Sequence, residues 1–70
     1  MSGFLPTRGE SPVQTVRTIG RVAQMIVELR DEYVEKERDD LLAQIEQRLD
    51  DLASLRAELR DRIDQARSED

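Results

Sequence analysis

The sequence predicts an all-α chain whose core is completed by association, and three observations carry that expectation. The chain has 70 residues with no Cys, no His and no Trp, one Phe and one Tyr. A chain this short needs a staple, a metal or a partner for stability, and the residues that make disulfides and the usual zinc sites are missing. From Val13 to Arg67 there is no Pro and a single Gly, Gly20, among Leu, Ala, Arg, Glu and Gln, which are good helix formers. Within that span, apolar residues recur at alternating steps of three and four, the spacing of a helical seam. The expected architecture is an extended N-terminal arm followed by a long amphipathic helix. That helix is read as continuous or kinked near residues 36–40, with an antiparallel helical hairpin as the alternative. It forms a coiled coil or bundle with partner chains.

The opening "MSGFLPTRGE" holds two of the three Gly and one of the two Pro, and shows no periodicity, so residues 1–10 read as an arm. Phe4, Leu5 and Pro6 form a candidate docking peptide there, with Pro6 limiting the entropy lost on ordering. "SPVQ" then starts a helix. Ser11 can cap it, Pro12 suits the first helical position, and Gln14 can complete a capping box.

Residues 11–35 read as an apolar helix. Ile19, Val22, Ile26, Leu29 and Tyr33 form its seam, and Val13, Val16, Ala23, Met25 and Val27 extend the apolar cover over more than half the circumference. A helix so covered is buried on more than one side. Gly20 is the natural place for a close helix crossing.

Residues 36–40 form a charged junction. From Tyr33 to Leu42 is nine residues, which at ~100° per residue puts the stripes before and after it on opposite sides of a straight helix. Asp39 or Asp40 could cap a second helix. "VEKERDDLL" offers no Gly, Pro or Asn for a turn, and Glu32–Lys36 and Glu35–Arg38 are favourable helical pairs, which supports continuity.

Residues 41–67 read as a coiled-coil helix, with 68–70 as a frayed tail. The seam there is Leu42, Ile45, Leu49, Leu52, Leu59 and Ile63, with Arg56 at a position where an apolar residue is expected. A polar group at such a position fixes register or oligomer state. Leu41 and Leu55 widen the stripe on one flank, and a bridging stripe through Val27, Val34, Leu41, Ile45, Leu52, Leu55 and Leu59, with Arg30, Arg38 and Arg48 filling its gaps, crosses the junction and supports continuity.

Charge narrows the function. The net charge is −5: the first thirty residues are net basic and the rest strongly acidic, a poor match to nucleic acid. Catalysis finds no nucleophile with a matched base, and the isolated Gly20 makes no phosphate loop. The adjacent acids Asp39/Asp40 and Asp50/Asp51 point ~100° apart on a helix, so they read as solvated faces and no metal or cofactor is expected. The chain does not open like a signal peptide, lacks the ~20-residue apolar run of a membrane span, and has Ser2 where myristoylation needs Gly. An intracellular setting, cytoplasmic or within a virion, is the expectation. Arg outnumbers Lys ten to one, a bias of GC-rich bacterial or phage genomes. The leading expectation is a non-enzymatic structural or interaction protein that binds itself or a larger protein assembly: a phage structural component, an assembly factor or an accessory subunit. A peripheral membrane protein using residues 13–34 is the alternative. A regulator of the antitoxin type that folds on its target ranks third.

Overall fold

The computed structural model describes residues 12–68. They form two α-helices, α1 from Pro12 to Lys36 and α2 from Asp39 to Ser68, packed against each other as an antiparallel hairpin. The arm, Ser11 as cap, and the docking residues Phe4, Leu5 and Pro6 lie outside the described residues. Pro12 is the first residue of α1, as its fixed φ and missing N–H favour.

The continuous or kinked helix is therefore corrected in favour of the hairpin, and the reason sits at Glu37. Its φ is 52°, the one positive value at a non-glycine residue in the described chain. That left-handed residue ends α1, and its N–H donates to the Tyr33 carbonyl at 2.7 Å, satisfying a carbonyl that the helix end would leave open. The Glu32–Lys36 pair does form within α1, at 3.4 Å, and puts a cation in its last turn. Arg38 turns forward instead of back towards Glu35. Its Nε and Nη2 donate to both oxygens of Asp40, at 3.0 and 2.7 Å, in the first turn of α2. That hydrogen-bonded guanidinium, with its charge, holds the Asp40 carboxyl below the usual carboxylate range. Asp39 and Asp40 both occupy the first turn of α2, where the helix dipole favours acids.

A left-handed conformation strains any residue with a Cβ. Glu37→Gly should stabilise the hairpin by about 0.5–1 kcal/mol, the relief of strain less the added freedom of the unfolded chain. Urea unfolding monitored by circular dichroism at fixed protein concentration reads this; a lower midpoint would show that the Glu37 side chain itself holds the bend.

One long-range bond pins the helices in register. Thr15 is 1% exposed, and its Oγ1 donates to Glu58 Oε2 at 2.7 Å. Moving along α1 towards the bend meets residues of α2 equally nearer the bend. On α1 the inward residues are Thr15, Ile19, Val22, Ile26, Leu29 and Tyr33, all buried or half-buried. On α2 they are Leu41, Ile45, Leu52, Leu55 and Leu59, with Arg48 and Arg62 at the intervening steps. The body measures 54 × 20 × 13 Å, a rod two helices wide and little more than one thick. Such a shape covers its seam from one direction only. Among the described apolar side chains just Val22 and Leu41 are buried, at 8% and 1% exposure.

Candidate interaction surface

The seam of α2 differs from the stripe that hydrophobicity alone selects. Ile45, Leu52 and Leu59 belong to both frames. Leu42, Leu49 and Ile63 do not turn inward; they remain 46%, 52% and 38% exposed, and Arg56 is exposed between them. Arg56 thus stays with the outward residues, and the arginines at the inward positions are Arg48 and Arg62. The bend decides the frame. Leu41 closes the first layer beyond it, and a helix that starts with Leu41 inward presents 45, 48, 52, 55, 59 and 62 on the same side.

The first seam, Ile19 to Tyr33, is taken up by α2 within the chain. What is left outward is a second apolar ridge on α1. Val13, Val16, Gly20, Ala23, Val27 and Val34 again step by three and four, with Arg30 in the one remaining place, and all are exposed. In an antiparallel pair, the flanks that follow the seam on each helix lie on the same side of the hairpin. This α1 ridge therefore runs beside Leu42, Leu49 and Ile63 of α2, making one broad apolar side. Of the eight large hydrophobic side chains exposed among the described residues, seven are on it; Met25 is the exception. A Cβ built on Gly20 meets nothing within 4 Å, so the close crossing expected there is not made within the hairpin.

The opposite side is polar. An open cleft there is lined by Met25, Glu28, Leu29, Glu32, Gln44, Gln47 and Arg48. Among the described residues no group of three His, Cys, Asp or Glu could hold a metal ion. Asp50 and Asp51 diverge as the helix requires: Asp51 pairs with Arg48, Nε to Oδ2 at 3.0 Å, while Asp50 is exposed. No described helix is long and apolar enough to cross a membrane. Comparison with family models, with curated proteins and with solved structures finds no match to this chain.

The sequence shows the breadth of the apolar cover on α1 and names Leu42, Leu49 and Ile63 on α2; that these run beside the α1 ridge on one side depends on the hairpin. The signal was present as the strict seven-residue spacing of Leu42, Leu49, Arg56 and Ile63, which marks a flank and not a complete two-step seam.

Proposed function

We propose that the chain is a non-enzymatic structural or interaction protein, which acts by covering the apolar side of its hairpin with protein. The observation that carries this reading is the one-sided exposure of Val13, Val16, Val27, Val34, Leu42, Leu49 and Ile63. Contiguous apolar surface rimmed by charge marks an interaction site when it exceeds what a monomer ordinarily exposes. A component of a phage particle, an assembly factor and an accessory subunit would each use such a surface in the same way. A lipid surface is favoured less. The flank of the α1 ridge carries Asp31 and Glu35 beside Arg17, and those acids oppose anionic headgroups.

The test is size fractionation of an extract from cells that make the chain at natural abundance. The chain should elute in a particle well above its own 8.1 kDa. Elution at that mass, both in extract and when concentrated alone, would sink the reading. Co-flotation with vesicles of anionic lipid at physiological salt would replace it with the membrane alternative.

A further inference from the structure

We propose that the open half of the apolar side, away from the bend, takes an acidic amphipathic helix of another protein. The proposal rests on the interaction reading above and adds the chemistry of the occupant.

The register places the residues. Thr15 bonds Glu58 across the seam, so Arg56 and Arg60 on α2 lie level with residues 13 to 17 of α1, and Ala53 lies level with Gly20. On the apolar side there, α1 offers Val16, Gly20 and Ala23, all exposed, and α2 offers the exposed Ala53. A Cβ at Gly20 would stand in open space. Val, Gly and Ala make a low floor, and a helix can settle closer on it than on a row of Leu or Ile.

Charge names the occupant. The four cations nearer the bend, Arg30, Lys36, Arg38 and Arg48, each pair with an acid of the chain. The cations of the open half, Arg17, Arg21, Arg56, Arg60, Arg62 and Arg67, pair with no described acid. Arg56 and Arg60 stand four residues apart at the edge of the low floor, both exposed. They border one hollow, shared with Ala57 and Asp61, and Asp61 pairs with neither. Two adjacent guanidinium groups without a partner, beside exposed apolar surface, match carboxylates on the flank of an apolar helix face.

The bend half decides between partners. The row of α2 outside Leu42, Leu49 and Ile63 runs Asp39, Glu46, Ala53, Arg60, Arg67 at steps of seven, so it changes sign midway along the hairpin. The helix dipole accounts for Asp39 and Arg67 at the ends and fades before Glu46 and Arg60. A bilayer or a phosphate chain would present one sign of charge along the whole 54 Å rod. Asp39 and Glu46 would repel it where Arg60 and Arg67 attract it. A helix meets the side residue by residue, with Asp or Glu over the open half only. Seated in the groove between α1 and α2, it completes a three-helix bundle.

The experiment is selection of helical peptides with randomised flanking positions from a displayed library, on the purified full chain at physiological salt. Selected peptides should carry Asp or Glu on a flank of their apolar face. Arg56→Glu with Arg60→Glu should bind them on the order of tenfold more weakly, and should prefer the same peptides with Lys in place of the acids. Arg56→Gln with Arg60→Gln, which removes charge without reversing it, should fall between parent and reversal; helicity of both variants should match the parent. Selection of basic or uncharged helices, no selection at all, or affinity indifferent to the two arginines overturns the acidic occupant. The interaction reading still stands in that event if the chain elutes in a larger particle from extract. Sedimentation equilibrium and co-flotation with anionic vesicles test the other occupants. A dimer that the charge reversal dissolves would make a second copy the occupant, and vesicle binding lost in the reversal would make it lipid; either overturns the proposal.

Discussion

Leu41→Asp should leave the chain without helix at any accessible concentration, whereas Leu42→Asp, one residue on, should fold. Leu41 is 1% exposed and closes the layer beside the bend; Leu42 is 46% exposed on the outer side. Removing a buried Leu forfeits about 1.5–3 kcal/mol of transfer free energy. Leaving a carboxylate in its place adds several more. A core of this size rarely supplies more than about 3–5 kcal/mol, so the first substitution exceeds what the hairpin has. Leu42 sits in the first turns of α2, where an added acid meets the positive end of the helix dipole. Its replacement strips apolar surface from the outer side alone. Helicity of Leu42→Asp should therefore fall at low concentration and recover as concentration rises, by mass action. Circular dichroism over a concentration series reads both. Equal loss of helix in the two variants would mean that the seam of α2 is not in the frame of Leu41.

That contrast marks what the sequence makes legible. Helical character from Pro12 to Arg67 follows from composition, and the α1 seam from Ile19 to Tyr33 follows from spacing, because both are local properties. The bend does not. Glu37 carries no residue-type signal for a left-handed conformation, and its neighbours Glu32 and Lys36 make a pair that suits an unbroken helix as well as an ended one. The nine-residue gap between Tyr33 and Leu42, with Asp39 or Asp40 as a cap for a second helix, was the mark of a break. Without the bend, the frame of α2 stays open between two stripes sharing Ile45, Leu52 and Leu59. Hydrophobicity then prefers Leu49 and Ile63 to Arg48 and Arg62. The structure takes the less apolar frame because Leu41 must close the turn, and because Thr15 on α1 meets Glu58 on α2 only in that register. The residues passed over, Leu42, Leu49 and Ile63, are the ones that build the outer side. Leu42, Leu49 and Ile63 were thus legible as seam positions, and their union with the α1 ridge into one side was not, since that depends on the phase that the bend sets.

The price of that frame is two arginines in the seam, and their removal should raise stability. The side chain of Arg48 is 28% exposed, yet its Nε is buried and finds no hydrogen bond, although Asp51 Oδ2 lies 3.0 Å away. The approach is close enough for an ion pair but poorly aligned, so Coulomb attraction is gained without the directional bond. Arg62 Nε is buried without a hydrogen bond too. Their stems pack in the seam while the guanidinium groups reach for water. A buried polar group left unsatisfied costs about 1–3 kcal/mol. Replacing such charged groups by well-packed apolar side chains is commonly neutral or stabilising. Arg48→Leu combined with Arg62→Leu should therefore stabilise the hairpin by about 2–3 kcal/mol, raising Tm by ~10 °C or more at matched concentration. The second consequence concerns alignment. In the register set by Thr15 and Glu58 Arg48 lies level with Met25 and Ile26, and polar residues at seam positions such as Arg48 and Arg62 disfavour slipped pairings, which fixes register. The double variant should melt higher but with lower cooperativity, and a spin label at Ser54 should report a broader distribution of distances to one at Arg21. A lower Tm would show that the two guanidinium groups hold the hairpin together, and that the seam tolerates them for their bonds and not for their register.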